Sequence, residues 1–290
     1  MELDEARQQL DERGFVVLPG YLSAEELAAA QAGLPAVFPT ADEFHDGVDP
    51  GRNAALSASQ FAGIVNFPFA SVDLSLVAVQ PKLIELAHAL LGTDDLRIYC
   101  IEGWAKYTGA IDYEQDHHRD YVNHTMLVPS SAPEQRQLEF FLYLGDVAED
   151  LGPTHVVPLA ASGHLGPVPS RRGRDDHPEL YDAEVSGAGP AGTVLAYTTN
   201  TLHRGTNMTA PRGARFTIHI NYRPHEVDWA QRHPWTLRAE MPDWHRFVER
   251  ATPRQLELFG WPRPGHPYWT DETVAGVAAR YPGLDLSPWR

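Results

Sequence analysis

Three residues constrain this chain more than any other feature: His118 and Asp120, separated by one residue, and His203, which follows eighty-five positions after His118. Residues i and i+2 of a β-strand point to the same side, so a strand that turns His118 inward also turns Asp120 inward. A third ligand must then come from a strand remote in sequence but adjacent in space. Two histidines and one carboxylate on one face of an octahedral ion, with the other face open, are the ligand set of non-heme iron(II) oxygenases. His117 is the competing candidate, but its i+2 partner is Arg119, which binds no metal, so His118 is the better choice.

The rest of the pattern supplies such strands. Residues 97–107, 138–144, 192–197 and 215–222 are β-like, 153–161 holds another short strand, and turn-rich stretches separate them. Antiparallel strands with long crossovers indicate a mainly β fold with flanking helices (α+β), a double-stranded β-helix of the jelly-roll, cupin-like kind. Ahead of them come a polar helix over 5–12, a β-rich run over 14–20, and a helix opened by a capping box, Ser23 against Glu26. Residues 81–91 form a helix with Pro81 in its first turn and Gly92 as its stop. Residues 40–75 read as loops over the core and 165–190 as an exposed loop. The whole of 1–290 reads as one domain, a core of about 10–225 and a Trp- and Pro-rich extension over 226–290. That extension holds six of the seven tryptophans. It is expected to pack aromatics on the outside of the barrel, or to act as a lid or dimer surface.

The run 215–222 alternates. Arg215, Thr217, His219 and Asn221 share one face, and Phe216, Ile218, Ile220 and Tyr222 share the other. A polar inward face implies a wet cavity, and a buried arginine beside a metal requires an anion. The distal carboxylate of 2-oxoglutarate supplies one that a guanidinium grips with two hydrogen bonds. Glu102, Trp104 and Lys106 share a face of the 97–107 strand and line the mouth. Lys106 reads either as a second group for that carboxylate or as a solvated strand end. His124 and His219 read as pocket residues or as satisfied structural histidines.

Net charge is −16, from 23 basic and 39 acidic residues. This disfavours nucleic acid and anionic membrane surfaces as partners. No uninterrupted run approaches eighteen apolar residues, and the acidic opening Met1-Glu2-Leu3-Asp4 does not resemble a secretory signal. The single cysteine, Cys100, excludes an internal disulfide, suits a reducing, cytoplasmic setting, and reads as a small buried hydrophobe.

Over residues 10 to 225 the chain resembles the phytanoyl-CoA dioxygenase family of iron(II)/2-oxoglutarate-dependent oxygenases. The resemblance rests on Gly14-Phe15-Val16-Val17-Leu18-Pro19-Gly20 with Ser23-Ala24-Glu25-Glu26-Leu27, on Leu144-Gly145-Asp146-Val147 leading into Gly152-Pro153-Thr154-His155-Val156-Val157-Pro158, and on Leu202-His203-Arg204-Gly205-Thr206-Asn207. It implies Fe(2+) held by His118, Asp120 and His203, with 2-oxoglutarate and O2 as co-substrates. It places the co-substrate arginine at the start of the strand after the distal histidine, which is Arg215. The spacing there is one residue longer than the family's usual step, so Arg212, in the turn Pro211-Arg212-Gly213, is the alternative. Thr206 falls where the family often has a hydroxyl near that carboxylate; the more usual serine position holds Gly205. Related halogenases have Gly or Ala in place of the carboxylate ligand, so Asp120 leaves no site for halide.

The implied function is a dioxygenase that oxidises a C–H bond of a small molecule, hydroxylation being the expected outcome, with succinate and CO2 as co-products. The breadth of the family suggests a setting in secondary metabolism. A small-molecule substrate is the expected partner, and a monomer or homodimer the expected state. The rival readings are a non-catalytic small-molecule-binding jelly-roll protein and a zinc-dependent hydrolase or isomerase on the same triad.

Overall fold

The computed structural model describes residues 2–130 and 132–290. Its strands are β1 (Phe15–Leu18), β2 (Ile64–Asn66), β3 (Leu96–Tyr107), β4 (His117–His118), β5 (Leu138–Tyr143), β6 (Thr154–Val156), β7 (Arg171–Arg172), β8 (Val185–Ser186), β9 (Val194–Thr198), β10 (His203–Gly205) and β11 (Ala214–Pro224). They form a six-stranded sheet, β1-β9-β5-β11-β3-β2, and a five-stranded sheet, β7-β4-β10-β6-β8. All the pairings are antiparallel. This is the double-stranded β-helix expected, with helices packed against the larger sheet.

The alternation of β11 decides where the core and the cavity lie. Ile218, Ile220 and Tyr222 face out of the barrel and join the principal hydrophobic core with Leu74, Leu83, Leu86 and Leu90 of the covering helices. Arg215, Thr217, His219 and Asn221 face inward, opposite Lys106, Trp104, Glu102 and Cys100 of β3 in that order. A second apolar cluster, which includes Phe15, Phe141, Tyr143, Val156, Leu195 and Tyr197, fills part of the space between the sheets. The barrel is thus packed at one end and polar at the other.

Local chemistry sets the helix ends. The Ser23 capping box is complete: Glu26 N–H donates to Ser23 Oγ at 3.2 Å and Ser23 N–H to Glu26 Oε2 at 2.7 Å. The helix Pro81–Leu91 ends on Gly92 with φ 69°, a left-handed conformation that favours glycine. The segment Val72–Leu91 has a mean hydropathy of 1.4. It is bent into the helices Val72–Val77 and Pro81–Leu91 and lies largely against the core.

Two segments differ from the loops expected. Residues 40–75 contain the helices Ala41–His45, Pro50–Leu56 and Val72–Val77 and the edge strand β2. Residues 165–190 contribute β7, β8 and the helix Pro178–Ala183, and bury Arg172, Leu180 and Tyr181. These elements are too short for hydrophobic periodicity to reveal them. The extension packs its aromatics on the outside of the larger sheet, with Trp235 and Trp244 around Phe67, Phe247 and Phe259. It also sends Arg232 into the cavity wall.

Candidate active site

A cavity of about 330 Å³ opens at the polar end of the barrel, and His118, Asp120, His203 and Arg215 all line it. His118 closes β4 and stands directly opposite His203 of β10 in the sheet register. Asp120 arrives differently from the alternation expected. The strand ends at His118, and Asp120 sits one turn on, at φ −77° and ψ −8°, as the residue that opens the helix Tyr121–His124. A tight turn, rather than strand pleating, brings the carboxylate back.

The ligand atoms of the three side chains lie within 4.8 Å of one another. Asp120 Oδ1 is 3.4 Å from His118 Nε2, and Asp120 Oδ2 is 3.1 Å from His203 Nε2. Two ligands at right angles, each about 2.1 Å from a metal, would be about 3 Å apart, so these separations suit one octahedral face. The imidazoles are also oriented. His118 Nδ1 lies 2.9 Å from the Asp116 carbonyl, and His203 Nδ1 3.2 Å from the Thr201 carbonyl. A carbonyl only accepts, so each Nδ1 carries the proton and each Nε2 lone pair faces the cavity.

Behind Asp120, the Tyr197 hydroxyl stands 3.2 Å from Asp120 Oδ2 and 3.2 Å from Glu139 Oε2. Burial, reinforced by the Asp120 charge, pushes the Glu139 carboxyl well above its ordinary range. Burial also opposes ionisation of Asp120, but its interactions with His203 and His118 overcome that and hold Asp120 well below its ordinary value. The shared proton therefore rests on Glu139, and Asp120 stays an anionic ligand.

At the other end of the cavity the charge is reversed. Arg215 and Lys106 are cross-strand partners, 7% and 3% exposed. Arg215 Nη1 is buried with no hydrogen-bond partner, and Tyr143 Oη beside it is likewise unpartnered. No carboxylate among the described residues pairs with Arg215 or Lys106. Burial, then the Arg215 charge, pushes the Lys106 ammonium well down, and burial lowers Arg215 as well. Two neighbouring buried cations without an anion need one from outside the protein. The far carboxylate of a dicarboxylate fits this cradle.

The remaining expected residues fall on both sides of the cavity wall. Arg212 lies outside, paired with Asp42 and Asp46 at 2.9 Å each. Thr206 is also outside: alternation along β10 turns Gly205 inward, and the Thr206 hydroxyl donates to the Pro153 carbonyl at 2.6 Å. A Cβ on Gly205 would come within 2.9 Å of Gln115 Oε1, so the glycine makes room for that amide, while Lys106 Nζ, at 3.4 Å, would be in ordinary van der Waals contact. His219 lies in the cavity floor, stacked between Trp104 and Phe141. His124 borders the cavity and lies 2.6 Å from Arg232.

His117 points away from the cavity, its Nε2 2.8 Å from Glu184 Oε2. Glu184 also accepts from Arg204 Nε and Nη2, each at 2.7 Å, and lies 2.8 Å from His155. One carboxylate thus ties together the neighbours of both candidate ligand histidines. Burial opposes its ionisation, but Arg204, His117 and His155 hold it far below its ordinary range. Nothing in the sequence around Glu184 marks it. Glu139 did carry a signal, as the lone charge in the apolar strand Leu138–Tyr143.

A second cluster, Cys100, Glu102 and His233, also brings ligand-type atoms together. Here His233 Nδ1 accepts from the Ile101 N–H at 3.4 Å, which leaves the proton on Nε2, the atom that faces Glu102. That tautomer offers no lone pair to a metal.

The model of the family Phytanoyl-CoA dioxygenase (PhyH) matches residues 10–215. Comparison with curated proteins returns no match. Among solved structures, the non-heme alpha-ketoglutarate-dependent epimerase SnoN from nogalamycin biosynthesis is 18% identical, with 77% of this chain and 82% of that chain covered and a TM-score of 0.52. SnoN in complex with Fe3+, alpha-ketoglutarate and nogalamycin RO is 18% identical, covers 77% and 83%, and gives 0.54. The carbocyclase SnoK from the same biosynthesis is 20% identical, covers 76% and 83%, and gives 0.52. These likenesses show a shared fold. With the family match over most of its length, the chain belongs to the phytanoyl-CoA dioxygenase family, whose cofactors are ferrous iron and 2-oxoglutarate.

Proposed function

We propose that the protein oxidises a C–H bond of a small molecule, with hydroxylation as the outcome and succinate and CO2 as co-products. The observation that carries this reading is the polarity of the cavity. Three metal-ligand groups converge at one end, and two buried basic side chains that no carboxylate among the described residues pairs stand at the other.

Iron and 2-oxoglutarate, when bound, supply the oxidant for the C–H bond. The chain's own residues do the rest. His118 and His203 present Nε2 because backbone carbonyls hold Nδ1–H. Asp120 supplies the anionic ligand, kept ionised by the histidines and by the proton on Glu139. Arg215 and Lys106 take the far carboxylate, and Phe141 and His219 form the floor between the two ends. The apolar cluster between the sheets closes the barrel to water behind the site.

Hydroxylation is favoured over epimerisation by what lines the cavity. Epimerisation must return a hydrogen to the opposite face of the carbon, for which a phenol or thiol is the natural side-chain donor. Among the described residues, no tyrosine or cysteine lines the cavity itself, and the nearby Tyr197 hydroxyl is already engaged by Asp120 and Glu139. The test is succinate formation with iron, 2-oxoglutarate and air, with product analysis in excess chloride. His118→Ala and Asp120→Ala should each abolish iron-dependent succinate. Retained turnover in either removes the ligand assignment, and a chlorinated product removes the role of Asp120.

A further inference from the structure

The outer half of the cavity carries information about the substrate. Ligand pockets usually hold roughly 300–1,000 Å³, and this one, at about 330 Å³, is near the lower bound before the co-substrate takes its share. Only part of the substrate enters. The remainder rests on the rim, and part of that rim is apolar. Phe61 and Val122 both line the cavity and are 51% and 61% exposed. The segment after Val122 also exposes Met126, Leu127 and Val128. Soluble proteins seldom leave contiguous apolar side chains in water without a use for them.

The charged groups of this half are, with one exception, already occupied. Glu102 is paired with Arg232 at 2.9 Å. Arg119 donates to the carbonyls of Asn200, Gly166 and Leu165. Arg171 is the exception. It lines the cavity, is exposed, and its guanidinium has no ion pair or hydrogen bond among the described residues. It sits on β7 directly opposite His118 in the register, so a group that it binds is held next to the reacting centre. On a chain of net charge −16, one local cation at the mouth selects. It suits a single anionic group and not the several phosphates of a nucleotide-bearing ester.

We infer that the substrate is an apolar small molecule with one anionic oxygen group, its body on the Phe61–Val122 rim and its anion on Arg171. This rests on the oxygenase reading of the same cavity. The test uses two fluorescent probes with one apolar skeleton, 8-anilinonaphthalene-1-sulfonate and the neutral N-phenyl-1-naphthylamine. Both are titrated into the full chain with manganese(II) and saturating 2-oxoglutarate. Arg171→Gln should weaken the sulfonate probe on the order of tenfold, the loss of one hydrogen-bonded charge, and leave the neutral probe unchanged. Phe61→Asn with Val122→Asn should weaken both probes. The inference is overturned if Arg171→Gln moves the sulfonate probe less than twofold or moves both probes equally, or if the rim substitutions leave either probe unmoved. Metal and 2-oxoglutarate binding is measured separately in each variant. Its absence from the unaltered chain would overturn the oxygenase reading; its presence with the wrong probe pattern overturns only this inference.

Discussion

Replacement of Arg215 by methionine should stabilise the ligand-free protein while it destroys 2-oxoglutarate binding. Arg215 is 7% exposed, its Nη1 has no partner, and the buried Lys106 ammonium is its cross-strand neighbour. A buried donor left unsatisfied costs about 1–3 kcal/mol, more when charged, and replacing a poorly compensated buried charge by an apolar side chain of similar length is often stabilising. A gain of about 1–3 kcal/mol, at roughly 2–4 °C per kcal/mol for a domain somewhat smaller than this one, raises Tm by several degrees. The loss in binding is larger. Removing one member of a buried ion pair costs about 2–5 kcal/mol, or roughly thirty- to several-thousand-fold in Kd. Thermal unfolding without ligand gives the first quantity, and anaerobic titration of 2-oxoglutarate onto the metal-loaded protein the second. A fall in Tm for Arg215→Met, or a Kd within threefold of the unaltered chain, would refute the reasoning.

Three further outcomes are expected. Lys106→Met should weaken 2-oxoglutarate less than Arg215→Met does, since a point charge lacks the paired geometry of a guanidinium; the two Kd values, measured side by side, decide this. Glu184→Gln should weaken metal binding by roughly ten- to a hundredfold, because the clamp on His117 and Arg204 loosens; manganese(II) binding followed by electron paramagnetic resonance reads it, and unchanged affinity would show that the clamp does not position the ligands. Burial is the main force that pushes the His124 imidazole down to about 4. The unfolded chain, at about 6.5, then binds more protons than the folded one across that window. Stability is therefore lost as pH falls from about 6.5 to about 4, and His124→Gln in chelated, metal-free protein should flatten that part of the profile in denaturant titrations.

The most legible part of the site was the alternation of β11. A period of two over eight residues separates Arg215, Thr217, His219 and Asn221 from their apolar neighbours, and the sheet obeys it. Arg215 is distinguishable from Arg212 on the same basis, since one begins the alternating run and the other sits in a turn. The convergence of Asp120 was anticipated for the wrong reason. A two-residue strand has no period to read, and the turn after His118 is set by the helix Tyr121–His124. Thr206 faces out because the inward side chain on β10 is fixed by His203, two residues before Gly205. Glu184 and Arg232 reach the site through contacts between segments far apart in sequence, and no local pattern encodes such contacts. The short helices of 40–75 run to seven residues or fewer, below the length at which amphipathic spacing stands out.

The central claim is that His118, Asp120 and His203 hold one ferrous ion beside a keto acid anchored at Arg215. Anaerobic addition of iron(II) and then 2-oxoglutarate, followed by visible absorption, tests it most directly. The unaltered chain should develop the weak band of an iron–keto acid chelate at one equivalent of metal, and His203→Ala should not. An absent band in the unaltered chain, or an equal one in His203→Ala, would contradict the account.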